Sequence, residues 1–377
     1  MFNLLKHFNT RNKECIFTWQ GSNPTWTPSN YTSLVSEGFF KNVYVYRAIN
    51  LISGGISSIP ITVKNQDLSE NEKMTELFAR PNVLQGRSSF MTTLVNYLML
   101  AGNAFIHFNG KELNCLRPDR VRVVPNDSMT APESYVYEVD RLKFPLRKSD
   151  VLHIKLPNPL SDWYGFAPIQ AATQATDQYN EMSKHNLGLL QNGGRPSGCL
   201  ILKNISNLTD EQRQQLRQDI KETYAGARNA GKMMVLEGGF EWKEMGLSPK
   251  DLDFDVAKNS TAREIIQAFG VPPILVGIRG DASFNNYKEA RTHFWEDTIV
   301  PLTELISTEF SHWLSTHKQQ NLKVVFDLDA VPAFINKREV LWNKVANATF
   351  LTDDEKREFL GLPKLKKDEK NEISKNN

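Results

Sequence analysis

Apolar residues recur every three or four positions in several stretches of the chain, which is the spacing of one helix face. The first stretch runs from Val43 to Ile59, before Pro60, and the second runs from Phe90 to Ala101, before Gly102. Proline and glycine commonly end helices, so both stretches are predicted to be helices with one buried face. Alternation typical of strands follows in the segments AFIHF, VRVV, YVYEV and VLHIKL. Residues 43–166 are therefore predicted to form an α+β domain.

Two further helices are predicted to bracket a small insert. The first runs from Pro168 to Leu190, has few large side chains and ends before Gly193. The second begins at Ser248, a capping residue, with Pro249 at its first helical position, and ends at Phe269 before a glycine and two prolines. Between them lie the strand segment GCLILK, a helix that opens on a Thr-x-x-Gln capping pattern, and the strand segment MMVLEGG. These predict a β-α-β insert over residues 195–247.

A third long helix is predicted from Tyr287 to His317, where large apolar residues are three or four positions apart. Pro301 lies inside this helix and removes one backbone hydrogen bond, so a kink is expected near Ile299. The strand segment KVVFDL follows. Two short helices are predicted after it, one over residues 334–349 and one capped by Thr352 with Glu355.

The charge balance argues against a protein that grips duplex DNA by itself. Among 377 residues, 45 Lys and Arg face 43 Asp and Glu. The last fourteen residues, KLKKDEKNEISKNN, hold five Lys and three acids and account for this small excess, so the body is nearly neutral. Tight non-specific DNA binding requires a concentrated basic surface, which makes a monomeric or dimeric DNA-binding module the weaker alternative. A conduit that must release DNA remains compatible with neutrality.

Cysteine content and hydropathy bear on the compartment. Three widely spaced cysteines are best interpreted as reduced thiols of a protein folded in the cytosol. No run approaches the length of about 18 apolar residues that a membrane helix requires, and no export signal is recognised. We therefore expect neither membrane insertion nor secretion.

Two segments resemble functional motifs but lack essential residues. Residues 226–232 match the first seven places of a P-loop, yet Met233 occupies the place of the magnesium-binding Ser or Thr, and a predicted helix precedes the segment. Asp251 begins a segment like an EF-hand loop, but Val256 and Ala262 replace its glycine and its final glutamate. We expect no catalytic residue, cofactor or metal. A hydrolase or ATPase with an atypical nucleotide-binding segment at 226–232 stays as the alternative.

A set of segments in a fixed order resembles the portal proteins of tailed bacteriophages, from about residue 40 to residue 363. The segments that carry the resemblance are YVYRAINLISGGISSIPITV, ELFARPN, LMLAGNAFIHF, LRPDRVRV, DVLHIKL, WYGFAPIQAA, NGGRPSGCLIL, LTDEQRQQLRQDIKETYAGARNAGKMMVLEGG, IIQAFGVPPILVG, FWEDTIVPLTELI and LTDDEKREFLGLP. Each segment alone is a weak signal. Together, and in this order, they are specific for the family.

The resemblance implies a portal-type α+β fold with a defined division of the chain. The expected parts are an irregular leader (1–42), a wing (43–166), stem helix 1 (167–194), a β-α-β clip (195–247), stem helix 2 (248–270), a tunnel loop (271–286), a kinked tunnel helix (287–318), a return strand to the wing (319–333), a short helical crown (334–363) and a charged tail (364–377). Because so little follows the crown, the chain resembles a minimal portal, such as that of a small phage, prophage or gene-transfer particle.

The resemblance also implies partners and a place of action. Portals form a homo-oligomeric ring, expected to hold about twelve subunits, at one capsid vertex of the virion, and are assembled in the bacterial cytoplasm. The expected partners are the terminase large subunit, the head-tail adaptor, and the major capsid and scaffold or protease proteins. Double-stranded DNA would pass non-specifically along a tunnel loop. The polar residues expected to face this DNA are Arg279, Asp281, Ser283, Asn285, Asn286 and Lys288.

Overall fold

The computed structural model describes residues 27–191, 198–202, 211–212, 214–215, 218, 240–244, 254–278 and 284–360. Its helices are α1 (Tyr31–Leu34), α2 (Val43–Ser58), α3 (Glu72–Ala79), α4 (Arg87–Ala101), α5 (Pro168–Ala171), α6 (Thr173–Gln191), α7 (Phe254–Ala268), α8 (Phe284–His293), α9 (Val300–Lys318), α10 (Ile335–Ala346) and α11 (Asp353–Phe359). Its strands are β1 (Ile61–Lys64), β2 (Asn103–Phe108), β3 (Leu113–Leu116), β4 (Val121–Pro125), β5 (Pro132–Val139), β6 (Leu142–Arg147), β7 (Val151–Lys155), β8 (Gly198–Leu202), β9 (Phe240–Glu244) and β10 (Lys323–Phe326).

Helices α2 and α4 form the centre of the core, as their apolar spacing predicts. The side chains of Val45, Ile49, Ile52 and Ile56 in α2 are completely buried. Helix α4 packs against α2 and ends at Gly102, which adopts the left-handed conformation (φ 69°) common after helices. The two apolar helix faces bury a large group of side chains against each other, which stabilises this domain.

Short antiparallel sheets surround these helices. One sheet has the order β3-β2-β7 and another the order β4-β5-β6. Strand β10 pairs with β1 in the register Ile61 to Phe326, so a strand near the C-terminus returns to the first domain, as expected. Burial alternates along β1 and β10, which places one face of each strand on the core.

The expected irregular leader is partly helical in the structure. Helix α1 begins at Asn30, whose side-chain oxygen accepts a hydrogen bond from the Ser33 amide, and a π-helical turn (Val35–Phe40) continues it. Buried polar groups join this segment to α6: Asn180 donates to the Glu37 carbonyl at 2.8 Å, and Asn42 donates to Asn180 at 3.1 Å. An Asn-, Ser- and Pro-rich composition suggested a loop, but these long-range contacts stabilise a helix.

The two predicted helices around the insert are present with altered boundaries. The first is interrupted at Ala172, which separates α5 from α6, and the described part of the second is α7. In the insert, β8 pairs with β9, Gly198 opposite Glu244, and the described residues within 211–218 are helical. The predicted strand MMVLEGG and the predicted helix start at Ser248 lie outside the described residues.

The predicted long helix has three parts. Helix α8 passes into a π-helical turn (Phe294–Ile299), and α9 follows with Pro301 in its first turn. The irregular turn thus lies directly before the proline, where a kink was expected, because proline cannot donate a hydrogen bond to the preceding turn. Trp295, Ile306 and Phe310 on its apolar face are buried.

Two short helices complete the described chain. Helix α11 begins with the predicted capping pair: the Thr352 amide donates to Glu355 Oε2 at 2.8 Å, and the Glu355 amide donates to Thr352 Oγ1 at 3.3 Å. Within the described residues, none of the helices combines the length and apolar content needed to cross a membrane.

Candidate channel-lining loop and tunnel helix

The N-terminal end of the predicted tunnel loop is hydrogen-bonded to the long helix. Gly270 has a φ of 68°, and its carbonyl accepts a hydrogen bond of 2.6 Å from Thr298 Oγ1. A β-carbon at Gly270 would lie 2.7 Å from the same Thr298 oxygen. Glycine is therefore required here both by the left-handed backbone and by the close approach of the π-helical turn.

Buried side chains hold the described part of the loop at two points. Val271 and Ile278 are 3% and 6% exposed. Between them the backbone forms a 3-10 turn (Pro273–Val276), and the Ile278 amide donates to the Pro273 carbonyl at 3.2 Å. The described part of the segment is therefore packed on the core at both of its ends.

The expected DNA-facing residues divide into two groups. Arg279, Asp281 and Ser283 lie outside the described residues. Asn285, Asn286 and Lys288 belong to α8, so the expectation that the loop extends through Asn286 is wrong. Neither glycine nor proline interrupts the chain from Ser283 to His293, and the helix extends back to Phe284.

Helix α8 is polar and exposed around most of its circumference, and Lys288 and Arg291, three positions apart, lie on the same side of it. Its exposed residues are Asn286, Tyr287, Lys288, Glu289, Arg291 and His293. Two cationic groups accompany one carboxylate, and His293 Nδ1 lies 3.7 Å from the carboxylate of Asp297 in the next turn. Such a surface attracts phosphates weakly, by charge and hydrogen bonding, without forming a concentrated basic patch.

The residues that follow α8 are fixed in the core. Phe294, Trp295 and Ile299 in the π-helical turn are buried. Ile299 packs beside Gly55 of α2, where a β-carbon would lie only 3.1 Å from the isoleucine. The polar face of α8 is therefore carried by a rigid support rather than by a free loop.

The junction between the wing and α5 contains a polar cluster that the sequence analysis did not find. Asn103 Oδ1 accepts a hydrogen bond from the Gly165 amide at 2.8 Å and lies 3.0 Å from His153 Nε2. Since this oxygen can only accept, the proton of the neutral imidazole lies on Nε2. The ring stacks on Phe105 with centroids 4.1 Å apart, and burial lowers the pKa of His153 to about 3.

The described residues show no catalytic arrangement. No group of three or more potential metal ligands occurs among them. Burial raises the pKa of the free Cys115 thiol, which makes it a poor nucleophile. The P-loop-like segment at 226–232 lies outside the described residues, whereas residues 254–262 of the EF-hand-like segment form the first part of the helix α7.

A sequence model of the family described as "Phage portal protein" matches residues 44–361. The chain belongs to this phage portal protein family. The match extends from α2 to α11, so the family expected from ordered sequence segments is confirmed, and with it the α+β portal-type fold. The comparisons give no support to the hydrolase or ATPase alternative.

Relatives of this portal family member include phage and bacterial proteins. An uncharacterized protein of Rickettsia bellii (strain RML369-C) is 39% identical over 88% of this chain and 89% of its own length. The portal protein of Enterobacteria phage HK97 is 23% identical over 76% of this chain and 70% of its own length. Among solved structures, the neck of a native gene transfer agent (GTA) particle computed with C12 symmetry contains a chain that is 37% identical, with a TM-score of 0.68; the alignment covers 92% of this chain and 97% of that chain.

Proposed function

We propose that the chain is the portal subunit of a tailed particle, either a phage or a gene transfer agent. Copies of it assemble into a closed ring at one capsid vertex, and double-stranded DNA enters and leaves through the ring. The observation that carries the proposal is the similarity, over 92% of the chain at 37% identity, to a chain of a particle neck computed with C12 symmetry. A ring of about twelve subunits follows from that symmetry.

The exposed face of α8 and the loop before it form the DNA-facing surface in this proposal. Lys288, Arg291 and Asn286 offer two cations and an amide, while Glu289 limits the net attraction. A conduit must guide the phosphate backbone without holding it, and a weakly positive polar surface meets both requirements. Arg279, Asp281 and Ser283 would extend this surface along the loop.

The other partners follow from the same role. The insert at 195–247 contacts the terminase large subunit during packaging and the head-tail adaptor afterwards, and the wing meets the major capsid and scaffold or protease proteins. Assembly takes place in the bacterial cytoplasm, and the mature location is the virion. The subunit itself catalyses no reaction and needs no cofactor.

The wild-type chain tests the ring, and two variants, assembled into particles, test the DNA-facing surface. Native mass spectrometry of the wild-type chain should give a ring of about twelve subunits. The double variant Lys288→Glu, Arg291→Glu should keep the ring, while nuclease-protected DNA per particle falls roughly tenfold, because two attractive cations are replaced by two carboxylates that repel the phosphates. Deletion of residues 280–285 should likewise spare the ring and lower DNA retention.

The matched control changes the same charge elsewhere. Lys111→Glu, Lys148→Glu alters two exposed wing residues and should leave both ring and DNA content unchanged. Equal DNA loss in the control would show that overall charge, not the α8 face, matters. A wild-type chain that stays monomeric both alone and with scaffold contradicts the ring assignment.

A further inference from the structure

The C-terminal helices α10 and α11 enclose an apolar groove with a volume of about 380 Å³. The groove is lined by Phe334, Leu341, Trp342, Phe359 and Leu360, with Asp329 and Arg338 at its rim. Trp342 is 41% exposed and Phe359 is 65% exposed. Exposed aromatic side chains around a groove of this kind are suited to anchoring a protein contact.

The groove is formed in advance by packing against the core. Phe334, in its floor, contacts Trp295 of the π-helical turn edge to face, with ring centroids 6.1 Å apart, and Trp295 is buried. On the rim, the Arg338 guanidinium lies 5.5 Å from the centre of the Trp342 ring and 3.9 Å from the Asp329 carboxylate. The walls are therefore ordered without any occupant.

An exposed apolar side chain lies nearby in the sequence. Phe350, in the turn between α10 and α11, is 85% exposed and does not line the groove. The capping pair of Thr352 and Glu355 fixes the turn two residues later, so Phe350 projects from a rigid support. A large aromatic residue held in this way is suited to insertion into a preformed pocket.

Charges next to the two features are complementary. Asp353, Asp354 and Glu355 follow Phe350 and lie in the first turn of α11. Arg338 at the groove rim and Lys344, exposed on α10, carry the opposite charge. When Phe350 of a second copy enters the groove, the carboxylates of that copy come close to these cations. Their attraction favours one orientation of the contact.

We propose that Phe350 of each subunit inserts into the α10–α11 groove of the adjacent subunit. This inference rests on the proposed ring and names its partner as a second copy of this chain. The contact joins two different surfaces, a projection and a groove, so repetition of it generates a ring when the rotation closes. Each subunit in the ring then fills one groove and has its own groove filled.

Three variants test the contact: Phe350→Ala, Trp342→Ala and both together. Each single variant should raise the protein concentration for half-assembly of the ring roughly tenfold or more, measured by mass photometry, because an anchor at an interface is lost. The double variant should be no weaker than the worse single variant, since both changes remove one contact. Leu160→Ala, at a wing residue that is 86% exposed, is the control and should assemble like the wild type.

A photo-cross-linking amino acid in place of Phe350 gives an independent readout. In rings made from isotopically light and heavy chains, cross-links should join position 350 of one chain to the Leu341–Trp342 region of another. Cross-links confined to one chain, or rings unaffected by Phe350→Ala, overturn the inference while the ring itself stands. If Trp342→Ala weakens ring assembly and Phe350→Ala does not, the groove binds another segment, such as residues 361–377. That result also overturns the inference. A wild-type chain without rings refutes the proposed function instead.

Discussion

At the scale of single residues, two glycines allow the chain after α4 to pass close to the segment before α5. Gly102 and Gly165 lie back to back: a β-carbon on Gly102 would be 2.7 Å from the Gly165 carbonyl carbon, and one on Gly165 would be 2.8 Å from the Leu156 amide nitrogen. The Gly102 carbonyl also accepts the Leu156 amide at 2.8 Å. Every opposing atom belongs to the backbone, so no side chain can move aside to make room.

Gly165→Ala should therefore lower the free energy of unfolding by about 3 kcal/mol or more, as overpacking against backbone does. Gly54→Ala is the opposite control, because Gly54 lies within α2 and an added β-carbon meets no atom within 4 Å. It should raise stability by about 0.5–1 kcal/mol. Urea unfolding of the three proteins measures both changes, and equal stability of Gly165→Ala and the wild type would contradict the close contact.

His153 makes the stability of the wing depend on pH. Its pKa is lowered by burial to about 3 in the folded chain, whereas an unfolded histidine titrates near 6.5. Below pH 6.5 the unfolded chain takes up a proton that the folded chain does not, so this residue removes about 1 kcal/mol of stability per pH unit down to about pH 3. His153→Gln keeps an N–H donor without titrating. Its unfolding free energy should fall less steeply between pH 6.5 and 4.5, and identical slopes would contradict the prediction.

At the scale of elements, helices with one apolar face were predictable and their interruptions were not. The spacing in α2 and α4 corresponds directly to buried residues, because the period of a helix appears in the sequence. The helix breaks at Ala172, which the spacing did not predict, and the helical turn before Asn42 depends on contacts with the distant residue Asn180. Local sequence carries no information about such partners, so these boundaries were placed wrongly.

The connection between the loop and the long helix gives a test at this scale. Thr298→Val removes the hydrogen bond to the Gly270 carbonyl and should lower the free energy of unfolding by about 1 kcal/mol. Thr292→Val removes a bond of similar type to the Lys288 carbonyl, but within an exposed part of α8, and should change stability by less than about 0.5 kcal/mol. Thermal unfolding of both variants distinguishes them, and equal shifts would show that the Thr298 bond has no special role.

At the scale of the whole molecule, the family was predictable and the candidate site was only partly so. Ordered segments from YVYRAINL to LTDDEKREFLGLP identified a fold that the family match confirms. The site prediction used polarity alone, and Asn285 and Asn286, expected in the loop, lie on a helix because polar residues occur on exposed helix faces as well as in loops. Polarity reports exposure to water, but it does not report backbone conformation.

The π-helical turn before Pro301 sets the direction in which α8 faces. A π-turn accommodates about one residue more than an α-helical turn, and each residue rotates a helix by about 100°. Loss of one residue from Phe294–Ile299 would make the helix regular and turn the whole polar face of α8 through roughly a quarter of a circle relative to α9. Chain length in this turn, rather than any side chain, thus determines whether Lys288 and Arg291 point along the proposed DNA path or away from it.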